Sequence, residues 1–459
     1  MRKLLMLLAV ATTIVSCKNE PQVDYAILSG TIVNKSTDDF TINSLDRSFK
    51  KVIDVATDGS FIDTLKIDAG TYMLYDGKNF TQVYLDHGNS IAVKFDVKDF
   101  DNTLTFSGNG AEISNYLLAK ANKQKEMMGE GTTVYELEEA DYKAKFNSIK
   151  TTVEEMIGSS EGISEAYKSI EKRSLNYSYL NKLNIYKSYH SYYAKKSDFE
   201  VSEGFLSELD GISYDSEADY TFSQDYKNLV STHYRKIASE MAKTDSIAQD
   251  IAILKVAGAI TNETIKNSLL YDSAKYDVTY TSNLEDFYQA FMAGSTNDTH
   301  IKEITESYNK LKTVAKGQTS PKFVNYENYA GGTTSLDDLK GKYVYIDVWA
   351  TWCGPCKREI PFLKEVESNY HGKNIEFVSL SIDKEKDHSA WQKMIVDKEL
   401  GGIQVFADND WNSKFVQDYL IKGIPRFILV DPNGDIVNSN APRPSENELV
   451  ELFEELDIK

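Results

Sequence analysis

Residues 343–357 read YVYIDVWATWCGPCK, and this stretch decides the fold of the C-terminal part of the chain. Its first seven residues are almost all apolar, aromatic or β-branched, which predicts a buried strand. Cys353 and Cys356 follow, at the point where the strand should give way to a helix. The unpaired backbone N–H groups and the dipole of a helix N-terminus stabilise a thiolate, so this spacing predicts a redox-active pair.

A structural zinc site is the main alternative for two cysteines at this spacing. Zinc needs a second pair of ligands, and the sequence has none at a suitable distance, since His371 is followed only by the remote His388. A purely structural disulfide is also disfavoured, because so small a loop constrains little of the unfolded chain. We expect no metal, and no cofactor other than the redox-active disulfide between Cys353 and Cys356.

Residues 316–459 alternate between strand and helix patterns. The patterns predict helix 354–370, strand Ile375–Ile382, helix 387–398, strand Ile403–Phe406, a short helix near Trp411–Tyr419, and a hairpin of Arg426–Val430 with Ile436–Asn438. The strands at 343–349 and 375–382 should pair in parallel because a crossover helix joins them. Ser445 and Glu448 have the spacing of a capping box that opens a last helix. The expected fold is a mixed sheet between helices.

Two further segments complete a family pattern. Trp352–Cys356, Pro361 and the run Gly423–Phe427 resemble the TlpA-like thiol–disulfide oxidoreductases of the thioredoxin superfamily, which are anchored to membranes in bacterial envelopes. The resemblance covers about residues 320–459. Residues 24–117 are similar, through Gly108–Gly110 and Asn115–Leu117, to the small β-domain that precedes such modules in lipoproteins of Bacteroidetes-type bacteria.

The resemblance implies a role for each matching residue. Cys353 would be the nucleophile and the more exposed sulfur, and Cys356 would be the resolving thiol that closes on it. Pro425 matches the family's cis-proline beside the disulfide, and the Ile424–Pro425 peptide would present backbone groups to an extended substrate. The remaining active-site support would come from Trp352, Gly354 and Pro355.

Asp347 lies on an otherwise apolar strand, where an ionised carboxylate is costly. The resemblance to thioredoxin implies that Asp347 is the general base for Cys356, with a pKa raised by desolvation. The alternative is a solvated carboxylate at a sheet edge. The lysine that partners this aspartate in thioredoxin is replaced here, with Ser379 at the matching strand position.

The third cysteine of the chain, Cys17, ends an N-terminal targeting pattern. Arg2 and Lys3 precede an apolar stretch, Leu4–Val15, that is too short to span a bilayer as a mature helix. The arrangement resembles the lipobox of bacterial lipoproteins, which implies a signal peptide at 1–16, acylation of Cys17 and a tether at 17–23. An ordinary cleaved signal followed by an incidental cysteine is the alternative.

The chain between the tether and the redox pair carries two patterns. Short period-two runs separated by turn signals predict an antiparallel β-sandwich or barrel-like domain over 24–110. Apolar residues three and four apart predict an all-α region over 111–315. Tyrosines are dense at 177–193 and 271–280, which indicates helix packing or, alternatively, a groove for a partner. With a thioredoxin-like α/β domain over 316–459, the fold class is multidomain.

Charge narrows the possible functions. The chain has 51 basic and 70 acidic residues, a net charge of −19 that argues against a nucleic-acid-binding surface. We expect a lipid-anchored envelope enzyme that reduces protein disulfides, because Gly354-Pro355 between the cysteines resembles the strongly reducing members. The resemblance further implies a membrane thiol transporter as electron donor and, in cytochrome c biogenesis, apocytochrome clients with CxxCH sites.

Two other functions stay open at this point. Residues 24–315 could form a ligand- or partner-binding lipoprotein to which the redox domain is an accessory. A peroxide-reducing enzyme would share the same fold, although a cysteine pair after Thr351-Trp352 is the thioredoxin pattern rather than that of peroxiredoxins.

Overall fold

The computed structural model describes residues 23–36, 39–45 and 48–459. The predicted signal peptide, Cys17 and most of the tether lie outside these ranges. The chain divides into two compact units, Met1–Leu229 and Val230–Lys459. In the described part of the chain, no helix is long and apolar enough to cross a membrane. The domain boundaries at 110 and 315 stay predictions.

The N-terminal part of the first unit is a β-sandwich, as its alternating pattern predicts. Two four-stranded sheets have the strand orders β4-β1-β7-β8 and β3-β2-β5-β6. The strands are β1 Ala26–Val33, β2 Thr41–Ser44, β3 Lys50–Val52, β4 Ser60–Leu65, β5 Gly70–Tyr75, β6 Phe80–Leu85, β7 Ser90–Asp96 and β8 Thr105–Asn109, with the short helix α1 Phe100–Thr103 before β8. Inward-facing side chains such as Leu28, Ile42 and Val83 are fully buried between the sheets.

Two features of the sandwich go beyond the sequence prediction. β1 and β7 pair in parallel within an otherwise antiparallel arrangement. β8 extends that sheet by pairing antiparallel with β7, although its sequence, TFSGN, has only one buried residue, Phe106. A strand with so little apolar patterning gives a weak period-two signal.

The central region is helical, as predicted. The helices are α2 Ala111–Met128, α3 Glu139–Ser159, α4 Glu165–Tyr193, α5 Glu217–Phe222, α6 Gln224–Asp245, α7 Gln249–Gly258, α8 Glu263–Asp277, α9 Leu284–Gly294 and α10 Asp298–Lys312. Many tyrosines of the first dense stretch serve as core residues. Tyr186 is fully buried and its ring centroid lies 4.3 Å from that of Tyr142, whereas Tyr192 is 76% exposed.

The C-terminal part of the second unit contains the mixed sheet that the sequence predicts. Its strand order is β10-β9-β13-β12-β11-β14-β15. The elements are β9 Tyr326–Asn328, β10 Thr333–Thr334, β11 Tyr343–Trp349, α11 Gly354–Asn369, β12 Ile375–Ser381, α12 His388–Lys398, β13 Ile403–Phe406, α13 Lys414–Asp418, β14 Arg426–Val430, β15 Ile436–Asn438 and α14 Asn447–Glu455. β11, β12 and β13 are parallel, and β14 pairs antiparallel with β11.

Helices cover both faces of this sheet. Trp391 of α12 and Phe415 of α13 pack in one apolar cluster with Ile346, while Leu363 of α11 and Phe453 of α14 pack in another on the opposite face. The side chain of each of these residues is buried. The predicted fold class, with its β-domain, helical region and thioredoxin-like α/β domain, is confirmed.

The predicted capping box of the last helix is wrong. α14 begins at Asn447, and its N-cap residue Glu446 makes no side-chain cap hydrogen bond. Ser445 faces away from the helix instead, because its hydroxyl donates to the Glu359 carboxylate over 3.1 Å. A contact 86 residues distant in sequence therefore overrides the local pattern.

Candidate active site

The cysteine pair lies at the N-terminus of α11, directly after the central strand β11. Cys353 is the N-cap residue, and the backbone N–H of Cys356 donates to the Cys353 sulfur over 3.1 Å. Pro355 occupies the first turn, where its fixed φ suits the helix and its missing N–H costs nothing. The two cysteines form a disulfide with a Cα–Cα distance of 5.3 Å. The helix N-terminus thus directs an N–H donor at the sulfur that would carry the thiolate.

A buried aspartate holds the turn that leads into the pair. Asp383 is fully buried, and its carboxylate accepts hydrogen bonds from the backbone N–H of Thr351 at 2.9 Å and from the Thr351 hydroxyl at 2.7 Å. The Ser381 hydroxyl donates to the same carboxylate over 2.8 Å. Sequence reasoning missed this residue, although an aspartate directly after a buried strand was a usable signal.

The surroundings of the two cysteines differ. In this disulfide form Cys353 and Cys356 are both buried, with 4% and 3% of their surface exposed, so the expected greater exposure of Cys353 is small. The neighbouring Trp352 is 54% exposed, and its ring lies 6.3 Å from that of Trp411. Cys353 therefore lies at the edge of an exposed aromatic surface, whereas Cys356 faces an internal cavity.

The loop before β14 lies against Cys353. The peptide bond between Ile424 and Pro425 is cis, and the Ile424 carbonyl oxygen lies 3.8 Å from the Cys353 sulfur. The sequence resemblance therefore identified a residue that meets the pair in space although it lies about 70 positions later in the chain.

The segment between α8 and α9 anchors this loop from the other side. Arg426, which directly follows the cis-proline, is buried, and its guanidinium donates to the Thr279 carbonyl at 2.7 Å and to the Thr279 hydroxyl at 3.0 Å. The same guanidinium lies 4.1 Å from the centroid of the Tyr280 ring. Tyr280 also approaches Gly423, where an added Cβ would lie 2.7 Å from the tyrosine hydroxyl. The connection between α8 and α9 thus supports the cis-proline loop.

Sequence reasoning missed Arg426 and Tyr280 as site residues. An arginine that opens the otherwise apolar strand RFILV was the available signal, because a buried arginine needs hydrogen-bond partners. Its partners, which lie in the connection after α8, could not be read from the pattern.

Asp347 lies in the middle of the sheet, on β11, with strands on both sides. It is 8% exposed, and its Oδ1 has no hydrogen-bond partner, so the alternative of a solvated carboxylate at a sheet edge is wrong. Ser379 is its register partner on β12, as the sequence comparison with thioredoxin placed it. Burial, and then the nearby Glu367 and Glu359 carboxylates, raise the pKa of Asp347 to about 8.

Asp347 and Cys356 line the same small internal cavity. Its volume is about 10 Å³, enough for roughly one water molecule, and Ser379, Gln404 and Glu367 also line it. The side-chain oxygen of Gln404 has no hydrogen-bond partner, like Oδ1 of Asp347. A polar, water-sized space thus adjoins the second cysteine of the pair.

A second carboxylate, Glu359, lies one turn after Cys356 and is buried. It accepts hydrogen bonds from the backbone N–H and the hydroxyl of Ser445, at 3.2 Å and 3.1 Å. The Arg443 guanidinium lies 4.0 Å away. Glu359 is thereby held by the segment just before α14.

No group of three or more His, Cys, Asp or Glu side chains in the described ranges is arranged to hold a metal ion. His371 and His388 do not meet at the cysteine pair. His388 instead contacts the Glu327 carboxylate over 3.0 Å.

A disulfide between a central strand and its crossover helix, beside a cis-proline loop, defines a thioredoxin-like redox domain. The family model described as Redoxin matches residues 315–454. The thiol–disulfide oxidoreductase ResA of Bacillus thuringiensis (strain Al Hakam) is 32% identical over 121 residues, which are 26% of this chain and 66% of the relative. ResA of Bacillus subtilis (strain 168) is 28% identical over 128 residues, 28% of this chain and 67% of the relative.

Solved structures of related sequence are also found. The thioredoxin domain of a thiol–disulfide oxidoreductase from Bacteroides vulgatus is 31% identical and covers 31% of this chain and 97% of that chain, with a TM-score of 0.28. Residues 315–454 thus match the Redoxin family, and the curated relatives of this domain are thiol–disulfide oxidoreductases. The chain spans 66% of the length of the first curated relatives that it matches.

Proposed function

We propose that this protein is a membrane-anchored thiol–disulfide oxidoreductase that reduces protein disulfides in the bacterial cell envelope. The observation that carries the proposal is the Cys353–Cys356 disulfide at the N-terminus of α11, within 3.8 Å of the carbonyl that precedes the cis-proline. Relatives of the same domain are named thiol–disulfide oxidoreductases.

The reaction begins from the reduced pair. The Cys353 thiolate attacks a client disulfide, forms a mixed disulfide, and releases one client sulfur as a thiolate. Cys356 then loses its proton, and its thiolate attacks the Cys353 sulfur. The bond to the client breaks, the second client sulfur leaves, and the Cys353–Cys356 disulfide forms. Two electrons pass to the client, whose two thiolates take up protons from water.

Asp347 serves as general base for Cys356 in this scheme. Both residues line one cavity, so a proton has a short path between sulfur and carboxylate. Because the pKa of Asp347 is raised to about 8, its ionised form is a stronger base than an aspartate at its ordinary pKa, and the ionised fraction grows as pH rises through neutrality. The Cys353 thiolate is stabilised by the N-terminus of α11, where the Cys356 N–H donates to its sulfur.

The peptide between Ile424 and Pro425 offers backbone groups to an extended client chain. Exposed Trp352 adds an apolar surface beside the reacting sulfur, which suits unfolded segments of a protein better than a small polar thiol. Gly354-Pro355 between the cysteines favours the reducing direction. A membrane thiol transporter would then supply electrons, and apocytochromes are one client class.

The location of the protein rests on its N-terminal sequence. The signal pattern and Cys17 favour export and a lipid anchor in the envelope. A Cys17→Ala variant should lose its partition into the detergent phase of a cell extract. An unchanged partition would rule out the anchor without affecting the redox chemistry.

Trapping tests the exchange reaction. A full-length Cys356→Ala variant lacks the resolving thiol, so it should accumulate mixed disulfides with clients on Cys353, which mass spectrometry identifies. The Cys353→Ala variant, which keeps the other thiol, is the matched control and should trap little. Equal trapping by both variants, or none by Cys356→Ala, would reject the proposed function.

A further inference from the structure

The cavity beside Cys356 contains a second carboxylate, Glu367, that the exchange scheme does not use. Glu367 lies on α11 eleven residues after Cys356, which is three helical turns and therefore the same face. The cavity is lined by Cys356, Asp347 and Glu367 together. Asp347 is buried, whereas Glu367 is only half-buried. Glu367 thus joins the interior of the site to the protein surface.

Two glycines make room for the Glu367 carboxylate. An added Cβ on Gly401 would lie 2.6 Å from its Oε2, and one on Gly402 would lie 2.9 Å from its Oε1. Gly402 also has a φ of +63°, which side chains rarely adopt. The segment before β13 therefore fits closely around this carboxylate and holds it toward the cavity.

Charged and neutral side chains from several elements surround the Glu367 carboxyl group. Lys364, on the same helix, donates to the Lys398 carbonyl at 3.0 Å and contacts Glu399 at 3.4 Å. β11 contributes the Asp347 carboxyl group, and β12 contributes the neutral Ser379, its register partner. The segment of β13 contributes neutral Gln404. Lys364 also lines the cavity, and its positive charge offsets part of the effect of burial on Glu367.

Neighbouring carboxyl groups in a poorly hydrated space resist losing both protons. Burial raises the pKa of Glu367 to about 7, and Lys364 opposes that shift. Burial is also the main cause of the raised pKa of Asp347, and the nearby Glu367 carboxylate is the second cause. The two groups are expected to titrate as a coupled pair close to neutral pH.

We propose that Glu367 is the proton outlet of the resolving step: it receives, through Asp347, the proton that Cys356 gives up and delivers it to solvent. This inference rests on the proposed function and deepens it. Glu367 does not touch the reacting sulfurs, so it is a positioning residue that acts through Asp347.

The Cys356 S–H proton moves to the Asp347 carboxylate while the sulfur attacks Cys353. The client leaves as a thiolate with the electron pair of the broken S–S bond. The proton then passes from Asp347 to Glu367 across the water-sized cavity and on to bulk water. Reduction of the pair reverses the path and returns a proton to Cys356.

The test compares full-length Glu367→Gln with wild type and with Glu365→Gln, an exposed glutamate two residues earlier on the same helix. The reduced proteins are mixed with oxidised glutathione between pH 5.5 and 9, and disulfide formation is followed by tryptophan fluorescence. Attack by Cys353 is measured separately in a Cys356→Ala background.

We expect Glu367→Gln to leave the attack rate of Cys353 unchanged and to slow the resolving step about threefold or more at pH 7. The pH midpoint of the resolving rate should also fall, by about half a unit, because Asp347 loses a neighbouring negative charge. A rate and midpoint equal to those of Glu365→Gln would overturn the inference. Failure of wild type itself to react would instead reject the proposed function.

A second measurement does not need the variant to fold. Carboxyl-carbon NMR of wild type should show Asp347 titrating in two steps, one of which coincides with Glu367. A single-step titration of Asp347, independent of Glu367, would refute the coupled pair on which the outlet depends.

Discussion

The buried Asp347 should make the C-terminal unit less stable as pH rises. Its pKa is about 8 in the folded chain and 3.8 as the ordinary value. The unfolded chain therefore releases this proton at a lower pH than the folded chain does. Above pH 3.8 the free energy of unfolding falls by about 1.4 kcal/mol per pH unit, and the fall ends near pH 8.

An Asp347→Asn substitution removes this loss. Between pH 3.8 and pH 7, Asp347 lowers the free energy of unfolding of the wild type by ~4 kcal/mol. This figure is an upper value for the gain in stability of the variant, because Asn must also fit the cavity. The variant should thus be a few kcal/mol more stable than wild type at pH 7 and nearly equal to it at pH 4. Its pH dependence between 5 and 8 should be correspondingly flatter.

Urea unfolding of the oxidised full-length protein measures this difference. All four tryptophans, at positions 349, 352, 391 and 411, belong to the C-terminal part of the second unit, so their fluorescence reports on that part alone. Asp397→Asn, an exposed position on α12, is the control and should leave the slope unchanged. If Asp347→Asn keeps the wild-type slope, the carboxylate is not held protonated by burial, and its role as a base near neutral pH fails with it.

Three further substitutions test the packing around this site and the first unit. Arg426→Ala should lower the free energy of unfolding by ~2–4 kcal/mol in the same fluorescence assay, because it leaves the Thr279 carbonyl unpaired and a cavity beside Tyr280. A loss under ~0.5 kcal/mol would contradict the anchoring role of Arg426. Gly59→Ala should lower the melting temperature by circular dichroism far more than Gly204→Ala, because both have positive φ but only Gly59 would place a Cβ 2.2 Å from a carbonyl. Glu171→Ala should lower the free energy of unfolding by ~3 kcal/mol, since it removes the buried carboxylate that lies 2.6 Å from the Lys120 ammonium and leaves that charge unpaired. An unchanged thermal melt would exclude a stabilising role for this ion pair.

Much of the C-terminal domain could be predicted from sequence because its signals are local. The strand at 343–349 and the helix that follows are adjacent in the chain, and their apolar periodicities agree with their packing. The position of Pro425 beside Cys353 came from the family resemblance rather than from any pattern. Asp347 stood out because a carboxylate in a buried strand is costly wherever the fold places it.

The remaining features depend on contacts between distant segments. Ser445 has the local signature of a cap, but its hydroxyl bonds Glu359 instead. Arg426 gains its partner Thr279 from a helix region 147 positions earlier. Glu367 looks like any surface glutamate of an amphipathic helix, and only the folded chain brings it to the cavity of Asp347. Sequence periodicity contains no information about such pairings.

A single-turnover reduction of insulin tests whether the Cys353–Cys356 pair reduces protein disulfides. The full-length protein is reduced, freed of excess reductant, and mixed with insulin, whose disulfides are then counted. We expect each molecule to reduce about one disulfide and to end with Cys353 and Cys356 oxidised, while Cys353→Ser reduces none. If the wild type reduces no insulin disulfides, or if Cys353→Ser reduces as many as the wild type, the cysteine pair is not a protein-disulfide reductase.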